Sequence, residues 1–217
     1  MKKDIFLILT FILCGVSPIC VSAHQPNYVG KNSTVFDSEP TISKAYYGEL
    51  ANQPTIYAIY SNSTFDMYVN ILSPDIQNAS KDYTIIIKDS NNNVIKTISS
   101  SSSEWTRWYE DFGGDWYWKG PAFKKQFSAG TYNIIVSNPD NIGKYSLAIG
   151  ELESFPINTF IHTIKELFFI KTKFFNEPWY GIFYGIIGKY LLFSSLILVI
   201  ILIFVIRLIL RLLRSVR

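Results

Sequence analysis

The chain has 217 residues, a formal net charge of +3 and two cysteines. Both cysteines, Cys14 and Cys20, precede Ala23, so a body that begins after Ala23 has neither a disulfide framework nor a cysteine metal site. From His24 to Gly150 there are ten Lys or Arg and twelve Asp or Glu, a net of −2, so the positive excess lies at the ends and nothing points to nucleic acid.

Met1 to Ala23 read as a secretory signal peptide: Lys2 and Lys3, the apolar run Ile5 to Leu13, then Val21-Ser22-Ala23 as a small-residue cleavage site. Gly15, Ser17 and Pro18 interrupt the apolar core, which favours cleavage after Ala23 over an uncleaved anchor and leaves His24 as the new N-terminus. Residues 24–42 are expected to form an N-terminal extension. Asn32, Asn62 and Asn78 each begin an N-x-S/T sequon, candidate glycosylation positions that mark surface.

From about Ser43 the chain alternates between short apolar-polar segments and turn signals. Ala45 to Leu50 and Thr55 to Ser61 are candidate strands, and Phe65, Met67, Val69 and Ile71 share one face of another before Ser73-Pro74-Asp75 breaks it. Tyr83 to Lys88 and Val94 to Ser99 flank the polar turn Asp89 to Asn93 as a hairpin, with Ser99 to Ser103 as a loop beyond. Tyr132, Ile134 and Val136 alternate, and so do Tyr145, Leu147 and Ile149 after a turn. Some seven short strands with no long helix before residue 155 predict an all-β fold: a single antiparallel β-sandwich, jelly-roll or Ig-like, over residues 43–153.

The stretch FSAGTYNIIVSNPDNIGKYSLAIGE (Phe127 to Glu151) resembles the end of the bacterial pre-peptidase C-terminal domain, in which a small-residue turn leads into a G-T-Y-x-hydrophobic-x-V strand and a final Y-x-L-x-hydrophobic strand. TFDMYVNILSPD (Thr64 to Asp75) is similar to an earlier strand of that family. The resemblance covers about Tyr46 to Glu151. It implies a jelly-roll-like sandwich and an accessory or binding role; some relatives have calcium or carbohydrate contacts, and no residue here inherits one. Trp105 to Trp118 departs from the family pattern.

That departing segment holds four of the five tryptophans. Trp105, Arg107, Trp108, Asp111, Asp115, Trp116 and Trp118 are the candidate ligand- or partner-binding residues. Aromatic faces beside carboxylates suit a glycan, because a ring stacks on the apolar side of a pyranose while carboxylates accept hydroxyl protons. The same set suits a protein hot spot. In the third reading the rings plug one end of the sandwich, Gly113-Gly114 makes a tight turn and Arg107 pairs with a nearby acid. Asp111 and Asp115 match no oxygen-ligand loop for calcium.

His24 is the one metal candidate, since a free N-terminal histidine can chelate copper through its amine and ring. Such a site needs a second histidine, and the only other is His162. With no cofactor implied, no histidine between Gln25 and Ile161 and no cysteine after Ala23, Ser-His-Asp and Cys-His catalysis lack their parts. The expectation is a non-enzyme.

Residues 154–178 are expected to form a juxtamembrane amphipathic helix, with Phe160, Ile161, Ile164, Leu167 and Phe168 on a face that lies on lipid or on a partner's helices. Residues 179–210 read as a transmembrane helix. Tyr190 to Ile206 is uncharged and spans about 26 Å, against a hydrocarbon core of about 30 Å, and both ends can extend it. Trp179, Tyr180 and Tyr184 suit the interfacial aromatic belt, and Arg207, Arg211, Arg214 and Arg217 against Lys189 put the tail (211–217) in the cytoplasm. The expected protein is a type I membrane-anchored extracytoplasmic binding or structural module. Its expected partners are the lipid bilayer and a membrane or envelope component, with copper binding through His24 or glycan binding through the Trp105–Trp118 segment as alternatives.

Overall fold

The computed structural model describes residues 24–31, 34–100, 105–154, 156 and 159–215. The signal segment and Asn32 lie outside the described residues. Two sheets face each other. The six-stranded sheet has the order β1-β3-β11-β5-β9-β8, with β1 Gln25–Lys31, β3 Lys44–Ala51, β5 Phe65–Pro74, β8 Thr106–Glu110, β9 Asp115–Phe127 and β11 Ile142–Ile149. The five-stranded sheet has the order β2-β4-β10-β6-β7, with β2 Thr34–Asp37, β4 Thr55–Ser61, β6 Thr84–Asp89, β7 Val94–Ser99 and β10 Gly130–Ser137.

The core lies where the alternating faces meet. Met67, Val69 and Ile71 on β5 interdigitate with Tyr57 and Ile59 on β4, Ile85 and Ile87 on β6, Ile134 and Val136 on β10, and Leu147 and Ile149 on β11, all fully buried. Each such side chain contributes about 1.5–3 kcal/mol by leaving water. The tyrosines in this core keep their hydroxyls satisfied: Tyr57 Oη lies 3.0 Å from Tyr145 Oη, and Tyr83 Oη donates to the Lys144 carbonyl at 2.8 Å. The β6–β7 turn is built as its residues suggest, with Asp89 Oδ1 accepting the N–H groups of Asn91 (2.9 Å) and Asn93 (2.8 Å).

Residues 24–42, expected as an extension, instead supply an edge strand to each sheet. β1 pairs in parallel with β3, and β2 in parallel with β4, so the sandwich is antiparallel except at these two edges. Buried Asp37 staples the segment down: Oδ1 accepts from Lys44 Nζ (2.6 Å) and Oδ2 from Tyr46 Oη (2.8 Å). The aromatic segment is also regular structure. β8 and β9 form a hairpin in the register Trp108↔Tyr117 and Tyr109↔Trp116. β5 runs on through Ser73-Pro74, expected as a break, because β9 continues past it and pairs with both residues.

A third, helical layer covers the outer face of the six-stranded sheet. Helix α1 (Phe160–Phe169) continues into a π-helical turn, Ile170–Phe174. Together they place Leu167, Ile170, Phe174 and Phe175 inward, with the last three packing on Ala45, Tyr47, Leu72, Tyr117 and Ala148. Phe174 meets Tyr47 edge-on at 5.2 Å and Phe175 meets Tyr117 at 5.4 Å. The juxtamembrane segment thus docks on the protein's own sheet, which corrects the expectation that its apolar face lies wholly on lipid or a partner. Phe160, Ile161 and Phe168 remain exposed. A 3₁₀ turn, Trp179–Phe183, then leads to helix α2, Ile186–Ser215. α2 is long and apolar enough to cross a membrane, and its apolar stretch is entirely unburied within the molecule.

Candidate functional site

The hairpin tip, Asp111 to Gly114, is shaped by one side chain. Glu110 Oε1 accepts the Phe112 N–H and Oε2 the Gly113 N–H, each at 2.7 Å, while the Glu110 carbonyl accepts the Gly114 N–H at 2.9 Å. Burial raises the Glu110 carboxyl above its ordinary range, and the two amides oppose that rise. Gly114 has φ +78°, a region that costs most residues about 1–2 kcal/mol. It also has no room for a side chain, since a Cβ there would lie 2.4 Å from Gly185 N.

The close approach brings the tip onto the start of α2. The Ile186 N–H donates to the Asp111 carbonyl (2.9 Å) and the Ile187 N–H to the Phe112 carbonyl (3.4 Å). A helix leaves its first amides without intrahelical acceptors, and here the hairpin tip supplies two. Beside this joint Lys171, fully buried, places Nζ 2.5 Å from Asp115 Oδ1 and 3.7 Å from Glu177 Oε2. Burial pushes the Asp115 carboxyl up to about 7, with Lys171 pulling the other way.

The candidate residues of the hairpin divide by face. Trp105 is buried in the core against Tyr83. Arg107 Nε (2.7 Å) and Trp118 Nε1 (2.8 Å) both donate to Asp75, whose carboxyl the Arg107 bond holds below its ordinary range. Arg107 also stacks over Trp116 at 4.1 Å, and Lys81 Nζ sits 3.1 Å above the Trp118 ring. Asp115 is buried in its ion pair, and Asp111 is exposed at the tip. Trp108 and Trp116 are the two exposed tryptophans of the hairpin, but alternation puts them on opposite faces. The rings and carboxylates therefore do not form one flat stacking surface. Asn62 and Asn78 are exposed.

One cavity, about 320 Å³, lies between the outer face of the six-stranded sheet, the hairpin and α1, and it brings together two groups that are far apart in sequence. His24, Tyr47, Trp108, Glu110, Asp115 and Glu153 line it. His24 Nδ1 is 2.5 Å from Ser43 Oγ, and burial, then the charge of Lys119, lowers the imidazole pKa. His162 lies elsewhere, on α1, 3.8 Å from Glu166. Among the described residues no three His, Cys, Asp or Glu side chains are grouped to hold a metal ion.

Sequence reasoning did not single out Lys171 or Gly185. Lys171 carries a partial signal, being one of two cations, with Lys173, in the apolar run from Leu167 to Phe175. Gly185 carries none until its neighbour across the joint is known.

No protein-family model matches the chain, and no curated protein matches it. Solved structures resemble it in part. The pre-peptidase C-terminal domain of collagenase from Bacillus anthracis is 12% identical with a TM-score of 0.31, over 59% of this chain and 95% of that one. It is a domain of the type that Phe127–Glu151 and Thr64–Asp75 resemble. A β-glucosidase from Paenibacillus barengoltzii is 11% identical with a TM-score of 0.26, over 58% of this chain and 13% of that one. CorA, a surface-associated copper-binding protein of Methylomicrobium album BG8, is 6% identical with a TM-score of 0.29, over 57% of this chain and all of that one. None of these likenesses assigns a role to a residue here.

Proposed function

We propose that the chain is a type I, single-pass membrane protein whose sandwich stands outside the cytoplasm as a non-catalytic binding or structural module, working through contact with a membrane or envelope component. The observation that carries this reading is the joint. The sandwich is bonded to the first turn of α2 through Asp111 and Phe112 and clamped beside it by Lys171 and Asp115. A module built this way is held at a set height and angle on its anchor. The excess of arginine after the apolar run supports a cytoplasmic tail. Two of the carboxylates that line the cavity are already engaged, Asp115 by Lys171 and Glu110 by the turn amides.

Recovery of the full-length protein from native membranes in mild detergent tests the partner. The expected result is a stoichiometric membrane or envelope protein that is lost when exposed Phe160 and Phe168 are both changed to serine. Recovery of the chain alone would refute it. Labelling of intact cells with a membrane-impermeant maleimide tests the topology: N62C should react and S215C should not.

A further inference from the structure

The joint between hairpin and helix fixes where the aromatic hairpin lies relative to a bilayer. The Ile186 amide bonded to Asp111 is four residues before the uncharged run that starts at Tyr190, about 6 Å along a helix axis. The headgroup layer on each side of a bilayer is about 5–8 Å thick. The tip therefore stands at headgroup height. From Gly114, β9 rises about 3.3 Å per residue, so the Trp116 backbone is about 7 Å from the tip.

Trp116 is 44% exposed, with its ring 5.0 Å from that of Tyr109. The Arg107 guanidinium stacked on it is already neutralised by Asp75, so the group presents rings more than net charge. A second exposed aromatic group reaches the same joint from another part of the chain. Trp179, Tyr180 and Tyr184 are 58%, 49% and 55% exposed, and a Cβ on Gly114 would lie 2.7 Å from the Tyr184 carbonyl carbon. Elsewhere among the described residues of the sandwich the exposed aromatics are Phe36, Tyr60 and Trp108. Trp and Tyr, apolar rings with one polar tip, are favoured at the headgroup level.

We propose that Tyr109 and Trp116 join Trp179, Tyr180 and Tyr184 in one lipid-facing rim that seats the sandwich on the headgroup layer, so that the occupant of the aromatic hairpin is the bilayer its own helix crosses. The inference rests on α2 spanning that bilayer. The test uses the full-length protein carrying fluorine-labelled tryptophan, reconstituted in phosphatidylcholine nanodiscs with and without headgroup-spin-labelled lipid. Single Trp→Phe variants assign the five resonances. The expected result is loss of the Trp116 and Trp179 signals in the paramagnetic discs, with the Trp105 signal kept. Loss of Trp179 with Trp116 retained would overturn the rim while leaving the membrane span intact. Retention of both would overturn the rim and the span together.

Discussion

Replacing Lys171 by methionine probes the clamp beside the joint. The ammonium is fully buried and sits 2.5 Å from Asp115, itself 4% exposed. Removing one partner of a buried pair strands the other, at a cost of about 3–5 kcal/mol. The cost depends on pH, because Asp115 can escape its stranded charge by taking a proton. Burial already raises its folded pKa above the unfolded value, and Lys171 is the main opposing influence. Without Lys171 the carboxyl holds its proton to higher pH. A raised folded pKa favours the folded state most below the unfolded value of about 3.9, and that contribution is lost as pH rises through the folded value. Lys171→Met should therefore lie nearest the parent protein at pH 4–5 and farthest from it at pH 8. At about 2–4 °C per kcal/mol, the shift in melting temperature at pH 8 is about 10 °C. Tryptophan-detected unfolding of the full-length protein in mild detergent, run at both pH values, measures it. Adding Asp115→Leu should restore most of the loss, since an apolar pair needs no partner charge. An unchanged melting temperature at pH 8, or an equal drop at both pH values, would refute the reasoning.

Gly114→Ala should open the joint, because its φ is +78° and the new methyl group would overlap Gly185; faster hydrogen exchange at Ile186 and Ile187 checks this, and unchanged protection counts against it. Phe174→Ala removes a fully buried ring from the layer between the sheet and the π-helical turn, at about 3–5 kcal/mol. Faster hydrogen exchange across Phe160–Phe169 and Ile170–Phe174 is the expected readout, and unchanged protection counts against it. Burial and Lys119 lower the His24 pKa, so its contribution to stability is complete above the unfolded value of about 6.5 and declines as pH falls below it. The His24 ring resonances should titrate at lower pH than those of a short peptide with the same N-terminal sequence; equal midpoints would contradict its burial.

Seven strands were legible in the sequence from their alternation and turn signals, most plainly where a strand has one dry face and one wet one. Tyr57 and Ile59 alternate with exposed Ile56 and Tyr60 across one sheet, and Ile85 and Ile87 repeat the period. The alternation fails where a strand is covered on both sides. Trp118 turns toward the core while Tyr117 turns to the helical layer, so β9 reads as a crowded aromatic run with no period. β1 and β2 fail for another reason. They are edge strands held in parallel by partners far along the chain, and Asp37, which looks like a surface acid, is buried only because Lys44 and Tyr46 fold over it.

The candidate site was legible as a set of residue types but not as an arrangement. The tight turn at Gly113-Gly114 and the pairing of Arg107 with an acid could be read from local chemistry. Which tryptophans are free could not, because exposure of Trp108 and Trp116 and burial of Trp105 depend on strand register and on what packs across it. Composition and periodicity alone determined that the chain holds a β-rich body and a long apolar helix near its C-terminal end, since both depend on short-range repetition. Only the tertiary structure decided that the body sits clamped to that helix. The contacts responsible, Asp111 with Ile186 and Gly114 with Gly185, and the Asp115–Lys171 pair that ties the π-helical turn down beside them, join residues more than fifty positions apart, and no local pattern encodes such a meeting.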